Sequence, residues 1–368
     1  MKRYLDNFIE KDITKKMVFL GGARQVGKTT LAKKLFPLAT YYNWDISEDR
    51  TLILKKELSL ETTWIFDEIH KYRLWRSLLK GLFDKFTTEK KILVTGSARL
   101  DFYRYGGDSL QGRYYYLRLH PLSFAEIQGE SKEDLQALFK LGGFPEPFLS
   151  GSETEARRWS REYRLRFIRE DVLDLESILD LGRLEQLMLL LPEKVGSPLS
   201  INSLRDNLQL SHKTISRWLD IFERFYGIFR IPPFGSSLLR SVKKEQKHYH
   251  LDWTLVTLDS LRFENMIACH LNKWVDFIQD TEGRDISLTY FRDIDKREVA
   301  FVIVENKEPI YGIECKWNDG EVSPHLKYLK KRFPKMKAFQ ISYLGEKDFE
   351  TLDGIRVCPA RVLLKDFI

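Results

Sequence analysis

Cysteine is scarce and scattered: Cys269, Cys315 and Cys358 are the only three in 368 residues. An odd count without metal-ligand spacing argues against a disulfide framework and a cysteine-built metal cluster, and fits a reducing cytoplasm. No apolar run approaches the ~20 residues that a membrane-spanning helix needs, so a soluble, cytoplasmic protein with no membrane partner is expected. The opening MKRYLDNFIEKD is amphipathic and charged, without the apolar segment of a secretory signal. Neither an internal repeat nor a low-complexity tract is visible, which sets aside solenoids and biased tails. What is present suits a globular protein, with 43% hydrophobic residues. The length exceeds one ordinary core, so two or three domains are expected. A net charge of +7 favours an acidic partner, nucleic acid ahead of an anionic membrane; the plainer reading is a solvated basic surface.

From residue 16 to about 125, short apolar runs alternate with helical patterns. Met17-Val18-Phe19-Leu20, Trp64-Ile65-Phe66 and Lys91-Ile92-Leu93-Val94 read as buried strands, and such alternation predicts a parallel sheet flanked by helices. A Gly/Pro cluster at residues 141–147 reads as a seam between domains. Residues 153–195 read as helical and rich in Arg and Glu, and a second seam at Gly196-Ser197-Pro198 leads into a helical unit at about 199–245. From about 263 a helix, strands and a helix suggest a separate small α/β domain. The expected division is 1–150, 151–255 and 256–368.

Gly22-Ala23-Arg24-Gln25-Val26-Gly27-Lys28-Thr29 fits GxxxxGK[ST] and lies between a strand and a helix beginning at Thr30, as phosphate binding requires. The glycines let backbone N–H groups turn inward around phosphate oxygens, and the helix presents its positive end to the same anion. Gly22, Gln25, Val26, Gly27, Lys28, Thr29 and Thr30 are therefore the nucleotide-binding candidates. Lys28 would reach the β- and γ-phosphates, and Thr29 would hold Mg²⁺, with ATP as the cofactor. Trp64-Ile65-Phe66-Asp67-Glu68 is an apolar strand ending in two acids. Asp67 would bind Mg²⁺ and Glu68 would activate the attacking water. Apolar runs capped by Asp-Glu are common, but a place about 40 residues after a P-loop makes this one specific. Ser97, after the next strand, would contact the γ-phosphate or the water, or else simply form a turn.

GGARQVGKTT, WIFDEIHK, VTGSARL and the segment from Leu110-Gln111-Gly112-Arg113 to Leu119-His120-Pro121-Leu122-Ser123-Phe124-Ala125-Glu126 together resemble the prokaryotic AAA-type ATPases fused to a C-terminal PD-(D/E)XK nuclease-like domain. The resemblance covers nearly the whole chain. It implies an α/β protein with an AAA-like parallel-sheet core, a winged-helix-like middle and a small restriction-endonuclease-like α/β end. It also makes Arg113 an arginine finger or sensor; acting in trans, it would require a homo-oligomer. The plainer reading is a surface arginine paired with an acid.

Residues 201–225 read as helix, turn, helix, with Ser211 capping the second helix. That helix opens with Ser, His, Lys, Thr and Arg on its outer side, as a major-groove recognition helix does. Lys243, Lys244 and Lys247 would form a basic wing against a phosphate backbone. Protein contacts alone are the alternative.

In the last domain Ile267, Leu271 and Trp274 mark an amphipathic helix, and residues 298–304 and 311–316 read as strands. Glu314 and Lys316 emerge on one strand face, which suits a metal-binding carboxylate beside a water-positioning lysine, or a plain ion pair on an exposed edge strand. Glu314-Cys315-Lys316 resembles the (D/E)XK element, and Glu264 resembles the helix acid that completes it. The resemblance further implies an Asp where this chain has Ala300. Either Glu298, two residues earlier, partly substitutes as a metal ligand, or the site is inactive by natural loss or substitution. Three functions stay open: an ATP-driven protein acting on double-stranded DNA, a nucleotide-dependent protein switch or scaffold, and an ATP-regulated endonuclease.

Overall fold

The computed structural model describes residues 1–86, 89–96, 110–172, 180–235 and 246–368. The chain divides into two compact units, Met1–Pro121 with Arg224–Tyr226, and Leu122–Glu223 with Gly227–Ile368. The first division therefore falls at Pro121, earlier than the Gly/Pro cluster suggested. That cluster is a corner between two helices: Gly142 takes φ +84° and closes one helix on Leu138, while Pro145 opens the next. Proline at the first helical position costs no hydrogen bond, so the pair marks a turn inside the second unit.

In chain order the first unit contains α1 (Asp6–Asp12), β1 (Met17–Gly21), α2 (Lys28–Leu35), β2 (Thr40–Asn43), α3 (Ser47–Lys55), β3 (Thr63–Asp67), α4 (Trp75–Phe86), β4 (Lys91–Gly96) and β5 (Tyr114–Arg118). The strands lie in the order β2-β3-β4-β1-β5, and every pair is parallel. Strands buried on both faces need continuous apolar runs, and β1 and β3 are buried at every residue. On α4, Trp75, Leu79 and Leu82 fall on one face and pack with Phe19, Trp64, Phe66 and Val94. Each such side chain contributes about 1.5–3 kcal/mol on burial. Because the strands run in one direction, the segments after β1, β3 and β4 all leave from the same edge. That is where an open parallel sheet builds its ligand site.

The second unit contains α5 (Lys132–Leu141), α6 (Pro145–Ser150), α7 (Glu153–Arg166), α8 (Leu181–Leu190), α9 (Ile201–Leu208), α10 (His212–Arg224), β6 (Ile228–Ile231) and β7 (Lys247–His250). It continues through α11 (Asp259–Glu282), β8 (Ile286–Arg292), β9 (Glu298–Glu305), β10 (Glu308–Lys316), α12 (Pro324–Arg332), β11 (Lys337–Ser342), β12 (Phe349–Glu350), β13 (Ile355–Pro359) and α13 (Ala360–Leu364). The helix-turn-helix read at 201–225 is α9 and α10, and the Ser211 hydroxyl accepts from the Thr214 N–H. Strands β6 and β7 form an antiparallel pair. A mixed sheet follows in the order β12-β13-β11-β10-β9-β8. There β10 is an inner strand, parallel to β11 and antiparallel to β9, so the edge-strand reading of Glu314 and Lys316 does not hold. The Ile267 and Leu271 stripe of α11 is buried and Trp274 is half-buried. No helix among the described residues is long and apolar enough to cross a membrane.

Buried His270 on α11 holds the segment after Pro121. Its Nε2 accepts from the Phe124 N–H at 3.0 Å, and its Nδ1 faces the Met266 carbonyl at 2.7 Å. Accepting at Nε2 requires the neutral ring. Burial, the largest influence, pushes its pKa down from 6.5 to about 4. A group that resists protonation when folded stabilises the fold above its unfolded pKa, so this contribution is whole above pH 6.5. It is lost as pH falls towards 4. Thermal melts of the wild type are expected to lose stability across that window more steeply than those of His270→Gln. Equal slopes would contradict the assignment.

Candidate active site

The P-loop is built at the end of β1 by residues that tolerate unusual backbone. Gly22 has φ +150°, and a Cβ there would lie 2.3 Å from the Leu119 carbonyl oxygen. Gly27 has φ +99° and caps α2, whose eight residues start at Lys28. Gln25 also adopts a left-handed conformation, at +60°, and its side-chain carbonyl is buried without a hydrogen-bond partner. Buried Arg3 braces the loop from behind, donating to the carbonyls of Val26 at 2.9 Å and His120 at 2.5 Å. The Lys28 ammonium folds back on its own loop, onto the carbonyls of Gly22 at 3.0 Å and Ala23 at 2.7 Å. A buried ammonium resting on neutral carbonyls can exchange them for phosphate oxygens, a stronger, charge-assisted contact.

Asp67 ends β3 beside this loop, as the sequence placed it. One carboxylate oxygen accepts from the Thr29 hydroxyl at 2.9 Å and from the Tyr41 hydroxyl at 2.5 Å. The other accepts from buried Thr95 at 2.6 Å. Thr29 and Asp67 thus sit together at the helix start, where a hard cation meeting hydroxyl and carboxylate oxygens would be held, so Mg²⁺ fits the residues present. Burial above all, then the hydrogen bond to Asp67, holds the Tyr41 phenol well above its ordinary pKa, so Tyr41 remains a donor. Glu68 follows in a left-handed conformation, φ +55°, at a cost of about 1–3 kcal/mol that surrounding structure must sustain. Its N–H donates to the Thr95 carbonyl. Its carboxylate lies 3.6 Å from Lys71 and 3.7 Å from buried His70. Burial lowers the pKa of His70 despite Glu68 beside it, so the imidazole stays neutral near pH 7.

Arg113 is not part of this constellation. It precedes β5, its carbonyl accepts from the Met17 N–H at the start of β1, and its guanidinium grips Asp84 at 2.7 and 3.2 Å. It therefore stands at the opposite edge of the sheet from the P-loop, about 17 Å away along five residues of strand. Within one chain it is a surface arginine paired with an acid. Ser97, like Lys243 and Lys244, lies outside the described residues.

The C-terminal residues arrange differently from expectation. Lys316 donates to Glu314 at 3.0 Å, and the last β9–β10 register pair, Ile313 with Phe301, adjoins Glu314 and Ala300. The Ala300 N–H donates to the Glu314 carboxylate at 3.2 Å. Glu264 and Glu298 both face the ammonium of Lys247, at 3.5 and 2.7 Å. Lys247 is buried, not part of an exposed basic wing. Among the described residues no group of three or more His, Cys, Asp and Glu side chains is arranged to hold a metal ion. A metal at Glu298 and Glu314 does not fit this site.

Residues 14–128 match the AAA domain family. Residues 132–262 and 262–363 match two further families, each described as a domain of unknown function (DUF8612 and DUF4143). An uncharacterized protein of Mycobacterium tuberculosis is 23% identical over 362 residues, covering 95% of this chain and 81% of the relative. Another, from Methanocaldococcus jannaschii, is 24% identical over 306 residues, covering 67% of this chain and 63% of the relative. Among solved structures, the signal transduction ATPase with numerous domains (STAND) from Pyrococcus horikoshii, a protein with a tetratricopeptide repeat sensor, overlaps 76% of this chain and 48% of its own. The TM-score is 0.24 and the identity 15%, and no likeness of function is drawn from it. The AAA domain match spans residues 14–128, the segment that holds the P-loop and Asp67, and suggests nucleotide-dependent activity there.

Three residues around the P-loop and Asp67, namely Arg3, Tyr41 and Thr95, carried no motif. Thr95 is the register partner of Asp67 across β3 and β4, a relation that only strand order reveals. Tyr41 lies two residues before the partner of Asp67 on β2, on the same sheet face by the two-residue strand repeat.

Proposed function

We propose that the chain binds and hydrolyses ATP with Mg²⁺ and works as an ATP-driven protein that engages double-stranded DNA. One observation carries the ATPase reading: Thr29, Tyr41 and Thr95 converge on the Asp67 carboxylate at the mouth of a glycine-built P-loop. Lys28 would leave the carbonyls of Gly22 and Ala23 for the β- and γ-phosphates, while the loop's N–H groups and the start of α2 face the same anion. Thr29 and Asp67 would hold Mg²⁺, which neutralises phosphate charge when bound. Glu68, tethered near Lys71, would orient the attacking water and take its proton.

The DNA part rests on α10, whose first turns carry exposed His212, Lys213 and Arg217, in the place a recognition helix uses. ATP turnover measured with and without DNA tests it. Stimulation by double-stranded DNA that weakens with added salt, and is lost in His212→Ala/Lys213→Ala, is expected. Turnover indifferent to DNA at low salt would contradict the DNA part and leave a nucleotide-dependent switch acting on protein partners. An oligomer in which Arg113 serves a neighbour's site requires that arginine to exchange Asp84 for the neighbour's phosphate.

A further inference from the structure

Three acids on the second unit form one cluster: Glu264 on α11, Glu298 on β9 and Glu314 on β10. Burial first, then the charges of Glu314 and Glu298, raise the pKa of Glu264, while Lys247 and the Tyr249 hydroxyl oppose the rise. Acids gathered this closely need cations, because unpaired buried charge is strongly disfavoured. In a metal-dependent nuclease a divalent ion supplies that charge.

Here the chain supplies it. Lys247, buried in β7, sets its ammonium 2.7 Å from Glu298 and 3.5 Å from Glu264. Two residues along, on the same strand face, Tyr249 donates its hydroxyl to Glu264 at 2.7 Å. Arg292 faces the second oxygen of Glu298 at 3.7 Å, and Lys316 holds Glu314 at 3.0 Å. Every acid of the cluster thus meets a cation of the protein itself. The Ala300 N–H takes the other oxygen of Glu314, at the place where the resemblance read in the sequence calls for a carboxylate.

We propose that Lys247 is the resident cation of this cluster, its ammonium standing in place of a divalent ion, so that the C-terminal site is a charge-clamped joint and not a metal centre. A hard divalent ion needs several oxygens at about 2.0–2.6 Å with free lone pairs. The oxygens here already accept from Lys247, Tyr249, Lys316 and Ala300, and the ammonium repels a second cation at short range. Burial pulls the Lys247 pKa down, but Glu264 and Glu298 together pull harder, and the net shift is upward; the ammonium is therefore retained at neutral pH.

The joint has a structural purpose. It fastens the β6–β7 pair to α11 and β9. On the other side of the pair, the chain leaving β6 bonds to β8 through Phe234 N–H on the Tyr290 carbonyl at 2.7 Å and Tyr290 N–H on the Pro232 carbonyl at 3.1 Å. The hairpin is held to the sheet from both strands.

The test titrates the full chain with MnCl₂ in the absence of nucleotide, in an Asp67→Asn background that removes the P-loop metal ligand. The parent and Ala300→Asp are expected to show no saturable binding and no Mn²⁺-dependent cleavage of DNA, because the ammonium remains. Lys247→Met/Ala300→Asp is expected to gain one saturable Mn²⁺ site, and its melting temperature should rise as Mn²⁺ is added. Saturable Mn²⁺ binding to the parent, or Mn²⁺-dependent cutting by Ala300→Asp alone, would overturn the proposal. Neither of those two proteins alters Lys247, so the proposal stays testable even where the double variant fails to fold. None of these readouts depends on ATP turnover.

Discussion

Lys28→Ala weakens ATP binding by roughly 30- to 4,000-fold, and Glu68→Gln binds ATP like the wild type but turns it over about 10²–10⁴-fold more slowly. The two variants separate binding from chemistry because their side chains sit differently. Lys28 is buried, with its ammonium on the carbonyls of Gly22 and Ala23. Its loss leaves the phosphates without their ammonium, at a cost of about 2–5 kcal/mol, which lowers affinity roughly 30- to 4,000-fold. Glu68 lies beside Lys71 and His70, and its amide keeps the shape of the site while losing the base. Equilibrium binding and steady-state turnover on the same preparations check both. Unimpaired hydrolysis in both variants would overturn the ATPase assignment.

Lys273→Met is expected to destabilise the second unit by about 3–5 kcal/mol. Lys273 on α11 is 2% exposed and reaches Ser123 at 3.1 Å and Glu126, itself 4% exposed. Removing the ammonium takes the paired cation from the buried Glu126 carboxylate, which also accepts from the Ser123 N–H at 3.3 Å. Removing both charges, as Lys273→Met/Glu126→Leu, should recover most of the loss, since desolvating a buried pair offsets much of its attraction. A melting temperature lower by on the order of 10 °C in the single variant, largely restored in the double, is the expected pattern. Equal losses in both would show that shape, not charge, holds the segment.

That pair also explains what a familiar sequence phrase does. Pro121-Leu122-Ser123-Phe124-Ala125-Glu126 was readable as a motif, but its partners, His270 and Lys273, lie about 150 residues away and emerge only from the fold. The P-loop and Asp67 were legible because their chemistry is contiguous: glycines, lysine and hydroxyl in one loop, and an acid closing an apolar strand. Tyr41 and Thr95 were not, since β4 lies between β1 and β3 and each residue reaches Asp67 across strands. Lys247 was misread because its neighbours Lys243, Lys244 and Glu245 suggest an exposed charged wing, whereas β7 turns its lysine inward onto two glutamates. For Arg113 a motif gives residue type, while strand direction sets it at the edge of the sheet opposite the P-loop, paired with Asp84 within one chain. Three of the five core strands, β1, β3 and β4, were read to within two residues at each end, because burial leaves an uninterrupted apolar signature, whereas the half-buried β2 and β5 were not read.

Calorimetric titration of the wild-type chain with ATP, with and without Mg²⁺, tests the central claim most directly. Saturable binding that tightens with Mg²⁺, and loses that tightening in Asp67→Asn, is the result the geometry predicts. Absence of saturable binding in Mg²⁺-replete buffer, from protein shown to be folded, would contradict it.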